Sequence, residues 1–202
     1  MRRFTTIVFL FGLFSCGLEP HKTLNNQTGD KQLADSCVSD STIYSFLNFI
    51  LQIDSGKFLY HEKIADRDLE NFILTKEDSL TISKMKDVFV KGDMAFIYSQ
   101  LKHGIGFRLN AKFLPDKPII STDTLMNLQK NDVQSFWDGY RKKFGNGGFH
   151  TFSLPLFSKD KSIAIIKTGY HCGSLCGSGG IHIYKKVTGK WICVSSLKNW
   201  IS

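Results

Sequence analysis

The residues best suited to chemistry lie together in one segment, Gly169-Tyr170-His171-Cys172-Gly173-Ser174-Leu175-Cys176-Gly177-Ser178-Gly179-Gly180. Cys172 and Cys176 can close a disulfide, which an oxidising compartment favours and which contributes roughly 2 kcal/mol on the loop-entropy argument. His171, Cys172 and Cys176, with His182, also carry the donor atoms of a zinc site. Structural zinc sites, however, pair two well-separated ligand couples, and one couple is evident here. A thiol-dependent redox or hydrolytic enzyme would need Cys172 or Cys176 as a thiolate beside a general base. His171 adjoins Cys172, and neighbouring side chains on a strand point to opposite faces. A phosphate cradle would require Gly-Lys-Ser/Thr and a helix after Gly180, and neither follows. The glycines then read as backbone devices, supplying positive φ in a loop that joins two strands and places its cysteines.

Elsewhere the chemistry is sparse. Cys193 sits in an apolar terminal strand, as a small core residue or, if the chain brings Cys37 within about 7 Å, as its disulfide partner. Asp66, Asp68 and Glu70 form an acidic stretch, but Lys63 and Arg67 among them point to a solvated face with local ion pairs. His21, His61, His103 and His150 are isolated in sequence. Trp191 and Trp200 alternate with core-type residues and are expected to close the edge of a sheet. No nucleophile elbow, His-Glu-x-x-His or calcium-loop pattern is present. The sequence therefore assigns no catalytic residue, no metal ligand and no cofactor.

The elements that must position these residues follow from periodicity. Asp40 or Ser41 caps a helix whose Ile43, Phe46, Leu47, Ile50 and Ile53 share one face, ending at Asp54-Ser55-Gly56. After a polar stretch, Thr75-Lys76-Glu77-Asp78 opens a second helix running to Val90. A shorter helix over 93–101 buries Phe96, Ile97 and Leu101. Phe107, Leu109, Ala111 and Phe113 alternate as a strand between Ile105 and Ile120, interrupted at Leu114-Pro115-Asp116-Lys117-Pro118. Val133, Phe136, Trp137 and Tyr140 mark a helix over 132–144, stopped by Gly145-Asn146-Gly147-Gly148. Antiparallel strands then take over: Phe152 to Leu156, a turn at Ser158–Lys161, Ser162 to Thr168, and a hairpin of Ile181–Val187 with Trp191–Trp200 around Thr188-Gly189. Helices first and a meander last give an α+β fold, N-terminal helices packed on a C-terminal antiparallel β-meander.

Ahead of this domain, Arg2 and Arg3 precede an apolar run from Ile7 to Phe14, and Leu13-Phe14-Ser15-Cys16 closes the segment. A basic region, a short apolar core and a small residue at the cut describe an export signal over 1–15. The Leu-x-Ser-Cys ending resembles the lipobox of bacterial lipoproteins, which implies that Cys16 is acylated and becomes the first mature residue. Acyl burial contributes about 0.8 kcal/mol per CH₂, so several chains make a lasting membrane anchor. Residues 16–36 are polar, with Asn25-Asn26-Gln27-Thr28-Gly29-Asp30 in a row, and read as a flexible tether. Residues 37–202 are expected to form one globular domain. The formal charge is +8, two of those charges residing on Arg2 and Arg3 of the signal. The remaining lysines are scattered instead of lying on one element, so a nucleic-acid partner is not expected.

Trp137-Asp138-Gly139-Tyr140, Phe152-Ser153-Leu154-Pro155-Leu156-Phe157, Cys172-Gly173-Ser174-Leu175-Cys176-Gly177, Gly189-Lys190-Trp191 and the terminal Trp200-Ile201-Ser202 resemble the carboxy-terminal half of uncharacterised exported proteins and lipoproteins of Bacteroidetes. The likeness covers about a third of the chain, and that family brings no activity and no catalytic residue. The expectation is a lipoprotein of the bacterial cell envelope, facing periplasm or exterior. Its partners would be the membrane, through the anchor, and an unidentified envelope protein or ligand. Its role is a non-catalytic binding or accessory module, with the Cys172/Cys176 thiol enzyme as the alternative.

Overall fold

The computed structural model describes residues 38–53, 63–67, 72, 74–104, 106–115, 117–128 and 133–202. The export signal, Cys16, the tether and Cys37 lie outside the described residues. In chain order the elements are α1 (Asp40–Ile53), β1 (Lys63–Ala65), α2 (Lys76–Ser83), α3 (Asp93–Gly104), a 3₁₀ turn at Ala111–Phe113, β2 (Ile119–Ile120), α4 (Thr122–Leu128) and α5 (Val133–Phe144). The strands β3 (Phe149–Phe152), β4 (Leu156–Phe157), β5 (Ile163–Gly173), β6 (Cys176–Val187) and β7 (Lys190–Ile201) complete the chain. The fold is α+β.

The sheet runs β2-β1-β3-β5-β6-β7, with β4 pairing β5 beyond the end of β3. From β3 onward all pairings are antiparallel, as the meander predicts. The helical half adds β1, which lies parallel to both β2 and β3. The sheet is therefore mixed. Strands of two or three residues are too short for a period-2 pattern, and β1 exists because its edge meets Phe149 and Ile119 in space.

Both faces of the central strand are covered, which explains its unbroken Ile163-Ala164-Ile165-Ile166 run. Ala164 and Ile166 face α1, where they join Phe46, Leu47, Ile50 and Phe157. Ile163 and Ile165 face the other way, toward Ile82 of α2 and Ile97 of α3, with Ile181 and Ile183 beside them. Farther along that second face, α4 and α5 cover Phe149 with Leu125, Trp137 and Tyr140. The α1 stripe is buried as expected except at Ile53, which is 55% exposed in the helix's last position.

Two expectations fail locally, and one helix was not anticipated. The helix begun at Thr75 ends at Ser83 instead of Val90. Beyond it Asp93, almost wholly buried, accepts from the Val90 and Lys159 amides at 2.9 and 3.1 Å, so the chain must turn before α3. The strand across Ile105–Ile120 forms only at Ile119–Ile120. Asn110 caps the 3₁₀ turn through its side chain and gives its amide to the Tyr44 hydroxyl at 2.6 Å, while Phe113 packs on the Tyr44 ring. The alternation there serves a packed loop. Finally, α4 has no counterpart in the sequence reading. Its first residue, Thr122, is held by the Asp66 carboxylate, which also pairs with Arg108 at 2.6 Å.

One tie between the helical half and the last strand carries a pH dependence. Thr75 and Asp78 form a reciprocal capping box at the start of α2. Lys198 of β7 reaches the same Asp78 carboxylate at 2.8 Å. Burial pushes the Asp78 carboxyl up, but hydrogen bonds from Lys198 and Thr75 outweigh it and hold it below the usual aspartate range. The unfolded chain thus binds a proton more readily than the folded one. The interaction stabilises the fold fully above the ordinary carboxyl range and is lost as pH falls through and below it. Urea denaturation at pH 7 and pH 3 is expected to show a smaller acid-induced loss in Asp78→Asn than in the parent. Equal losses would remove Asp78 from the acid response.

Candidate functional site

The glycine-rich segment is not a loop. It is the far end of the β5–β6 hairpin, with strand pairing continuing to Gly173 and Cys176 and only Ser174-Leu175 turning between them. Cys172 and Cys176 are joined by a disulfide at the tip. None of the glycines between Gly169 and Gly180 has positive φ; among the described residues the positive-φ glycines are Gly92, Gly106, Gly145, Gly147 and Gly189. The need for glycine here is close approach. Gly169, Gly177 and Gly179 share one face of the sheet, and the Trp200 indole lies over them. A Cβ on Gly177 would stand 3.0 Å from the indole, and one on Gly179 would stand 2.7 Å from Nε1 and 2.5 Å from the Thr168 carbonyl.

Trp191 and Trp200 therefore differ. Trp191 turns inward onto Phe46, ring centres 4.9 Å apart, and belongs to the core. Trp200, 37% exposed, borders a cleft on each side of the sheet. The cleft on the α4–α5 face has a volume of about 420 Å³. Leu125, Met126, Val133, Phe136 and Trp137 form its helix side, and Thr151, Lys167 and His171 stand on its sheet side. His171 stacks on Phe149 at 5.1 Å and leans toward Trp200 at 5.8 Å. Phe149 in turn stacks on Trp137 at 6.0 Å, so an aromatic belt runs from the edge strand to α5. The opposite cleft, about 500 Å³, is bordered by His150, Tyr170, His182 and Asn199.

The residues singled out by sequence are dispersed by this geometry. Within the bridge, neither Cys172 nor Cys176 is a thiolate ligand or nucleophile. His171 faces α4–α5, whereas His182 occupies the other face and shares a 2.9 Å hydrogen bond with Ser196. Among the described residues, no group of three His, Cys, Asp or Glu side chains could hold a metal ion. Cys193, expected in the core, is an exposed free thiol, because β7 is the edge strand and a bulge beside Tyr184 alters its register. Of the acidic stretch, Asp66 pairs with the distant Arg108, and Lys63 donates to the Phe144 carbonyl at 2.9 Å. Asp68, Glu70, His21 and His61 lie outside the described residues, as does the His103 side chain.

No protein-family model matches the chain, and comparison with curated proteins and with solved structures found no match. Sequence reasoning placed the α5 part of the cleft's helix wall, Val133, Phe136 and Trp137, but missed the α4 part, which shows no long apolar stripe, and missed Thr151 and Lys167 as lining groups. One signal was available: Lys167, Gly169, His171 and Gly173 alternate, which on a strand places all four on one face.

Proposed function

We propose that this protein is an exported, lipid-anchored binding module of the bacterial envelope, tethered through Cys16 and non-catalytic. The observation that carries the binding role is the cleft beneath Trp200. An apolar wall with a few polar groups on a rigid sheet, in a volume of about 420 Å³, is the usual form of a small-molecule site. The bridge at the hairpin tip encloses Gly173 and Ser174, both of which line the cleft, and so fixes its rim while leaving no thiol there. For the anchor, support comes from Arg2, Arg3, the Ile7–Phe14 run and Cys16, together with the likeness to Bacteroidetes lipoproteins. In the described residues no helix is long and apolar enough to cross a membrane.

Peptide mass spectrometry of membrane-extracted, unreduced protein tests both halves. Acyl groups on Cys16 and a Cys172–Cys176 linked peptide are the expected result. Cys16→Ser is expected to move the protein from the membrane to the soluble fraction. An unmodified Cys16 removes the anchor, and alkylatable Cys172 and Cys176 return the thiol enzyme to consideration.

A further inference from the structure

Lysines that lie scattered along the sequence are gathered by the fold at one end of the sheet. Three segments meet there: 84–91 between α2 and α3, 159–161 between β4 and β5, and 185–190 at the turn from β6 into β7. Lys185 donates to the Asp87 carbonyl at 3.0 Å, and the Lys159 amide donates to Asp93, just beyond the first segment, at 3.1 Å. The Lys186 amide donates to the Ser162 carbonyl at 2.7 Å, which sets the second segment beside the third. Together the segments hold Lys84, Lys86 and Lys91, then Lys159 and Lys161, then Lys185, Lys186 and Lys190, against Asp87 and Asp160. Their balance of +6 equals the whole formal charge of the chain beyond Arg2 and Arg3. At the other end of the same strands, 169–180 and 199–202 hold no Lys, Arg, Asp or Glu.

All of these lysines except the half-buried Lys185 are exposed. Lys186 lies over the Trp191 ring at 5.6 Å, a contact that leaves its charge in place. Such a field of one sign draws an anionic partner. Val90 and Val187 stand among the lysines, 68% and 41% exposed, and apolar side chains within a basic field suit a headgroup boundary. The course of the chain points the same way. Phe46 rests on Trp191 at the start of β7, and Ile50 borders the cleft beside Trp200 near its end. Helix α1 therefore runs away from the Thr188-Gly189 turn, and the chain enters the domain from the lysine end. Residues 16–36 span at most about 70 Å when fully extended, so an acylated Cys16 holds that end close to a bilayer.

We propose that the lysine end is a docking surface for anionic lipid headgroups, which turns the clefts beside Trp200 away from the membrane. This rests on the anchored-module reading for its partner. The surface orients the domain and does not replace the anchor: salt screens it, so Cys16→Ser still leaves the membrane at physiological ionic strength. The test is flotation of the full-length Cys16→Ser chain with phosphatidylcholine vesicles, with or without phosphatidylglycerol, at low salt. The anionic vesicles are expected to bind it at least about tenfold more tightly than the neutral ones, and more tightly than a short DNA duplex does. Replacing Lys86, Lys91 and Lys190 together by Gln is expected to cost at least about tenfold in affinity for the anionic vesicles. The same replacement at the exposed Lys102, Lys142 and Lys143, which removes equal charge elsewhere, is expected to cost less than about threefold. Equal losses in the two triple variants, or tighter binding to the duplex, overturn the lipid surface. Absence of a preference for anionic vesicles, with Cys16 acylated in the parent, overturns the surface and leaves the anchored module standing. A preference in a chain whose native Cys16 carries no acyl group overturns the anchor and leaves the surface.

Discussion

Tyr140→Ala is expected to lower unfolding stability by about 3–5 kcal/mol, the range for emptying a large aromatic site. Tyr140 has no exposed surface and is the largest of the fully buried side chains among the described residues. Its ring meets Trp137 at 5.4 Å, Phe144 at 5.1 Å and Phe149 at 5.5 Å, joining α5 to β3. Its hydroxyl donates to the Gly148 carbonyl at 2.9 Å. Gly148 approaches the β5 backbone so closely that a Cβ there would lie 2.2 Å from the His171 carbonyl, so the bond orders the start of β3 against β5. Tyr140→Phe keeps the ring and leaves one buried carbonyl without its partner, at a cost of about 1–3 kcal/mol. Urea denaturation of both variants separates packing from hydrogen bonding. A loss in Tyr140→Ala no larger than that in Tyr140→Phe would mean the ring is not the hub of this cluster. Because Trp137 and Phe149 also line the cleft, the alanine variant should weaken binding there, whereas the phenylalanine variant should not.

Gln100→Leu is the second large effect, although it barely changes side-chain size. Gln100 is 3% exposed and acts as a substitute strand for β4. Its amide nitrogen donates to the Phe157 carbonyl at 2.7 Å and its oxygen accepts the Phe157 amide at 2.9 Å. Leucine leaves both backbone groups buried and unpaired, each worth about 1–3 kcal/mol. Gln100→Glu distinguishes this account from a packing defect. The carboxylate can accept from the Phe157 amide, but it faces the Phe157 carbonyl, so folding favours its protonated form. Its folded-state pKa is then raised, and the variant should be closest to the parent below the ordinary glutamate range, worsening as pH rises through it. A Gln100→Glu defect that stays constant between pH 4 and pH 7 would refute the hydrogen-bonding role.

How far the fold could be read depended on the origin of each element's stability. The α1 stripe of Ile43, Phe46, Leu47 and Ile50, the helix start at Thr75, and the helix stop at Gly145 are local signals, and all appear where expected. The Thr188-Gly189 turn is another. Both residues have positive φ, at 47° and 83°, as a tight hairpin turn requires. The strand expected from Phe107 to Phe113 failed because alternation also describes a loop whose apolar side chains reach a helix. That Tyr44 would take the Asn110 amide depends on residues far apart in the chain.

The candidate site shows the same division. The glycines were visible, but their purpose was not, since it depends on an indole arriving from the far end of the last strand. Without Trp200 in place, Gly177 and Gly179 read as loop residues; with it, they are the floor beneath a ring. By itself the sequence determined the α+β class, the helix faces and the tight turns, because capping, periodicity and turn chemistry act within a few residues. Only the tertiary structure decided that β1 pairs in parallel, that Cys193 faces outward on an edge strand, and that Thr151, Lys167 and His171 meet Leu125 and Trp137 across a cleft. Those outcomes follow from strand order and register, which long-range packing selects among alternatives that local preference leaves nearly equal in energy.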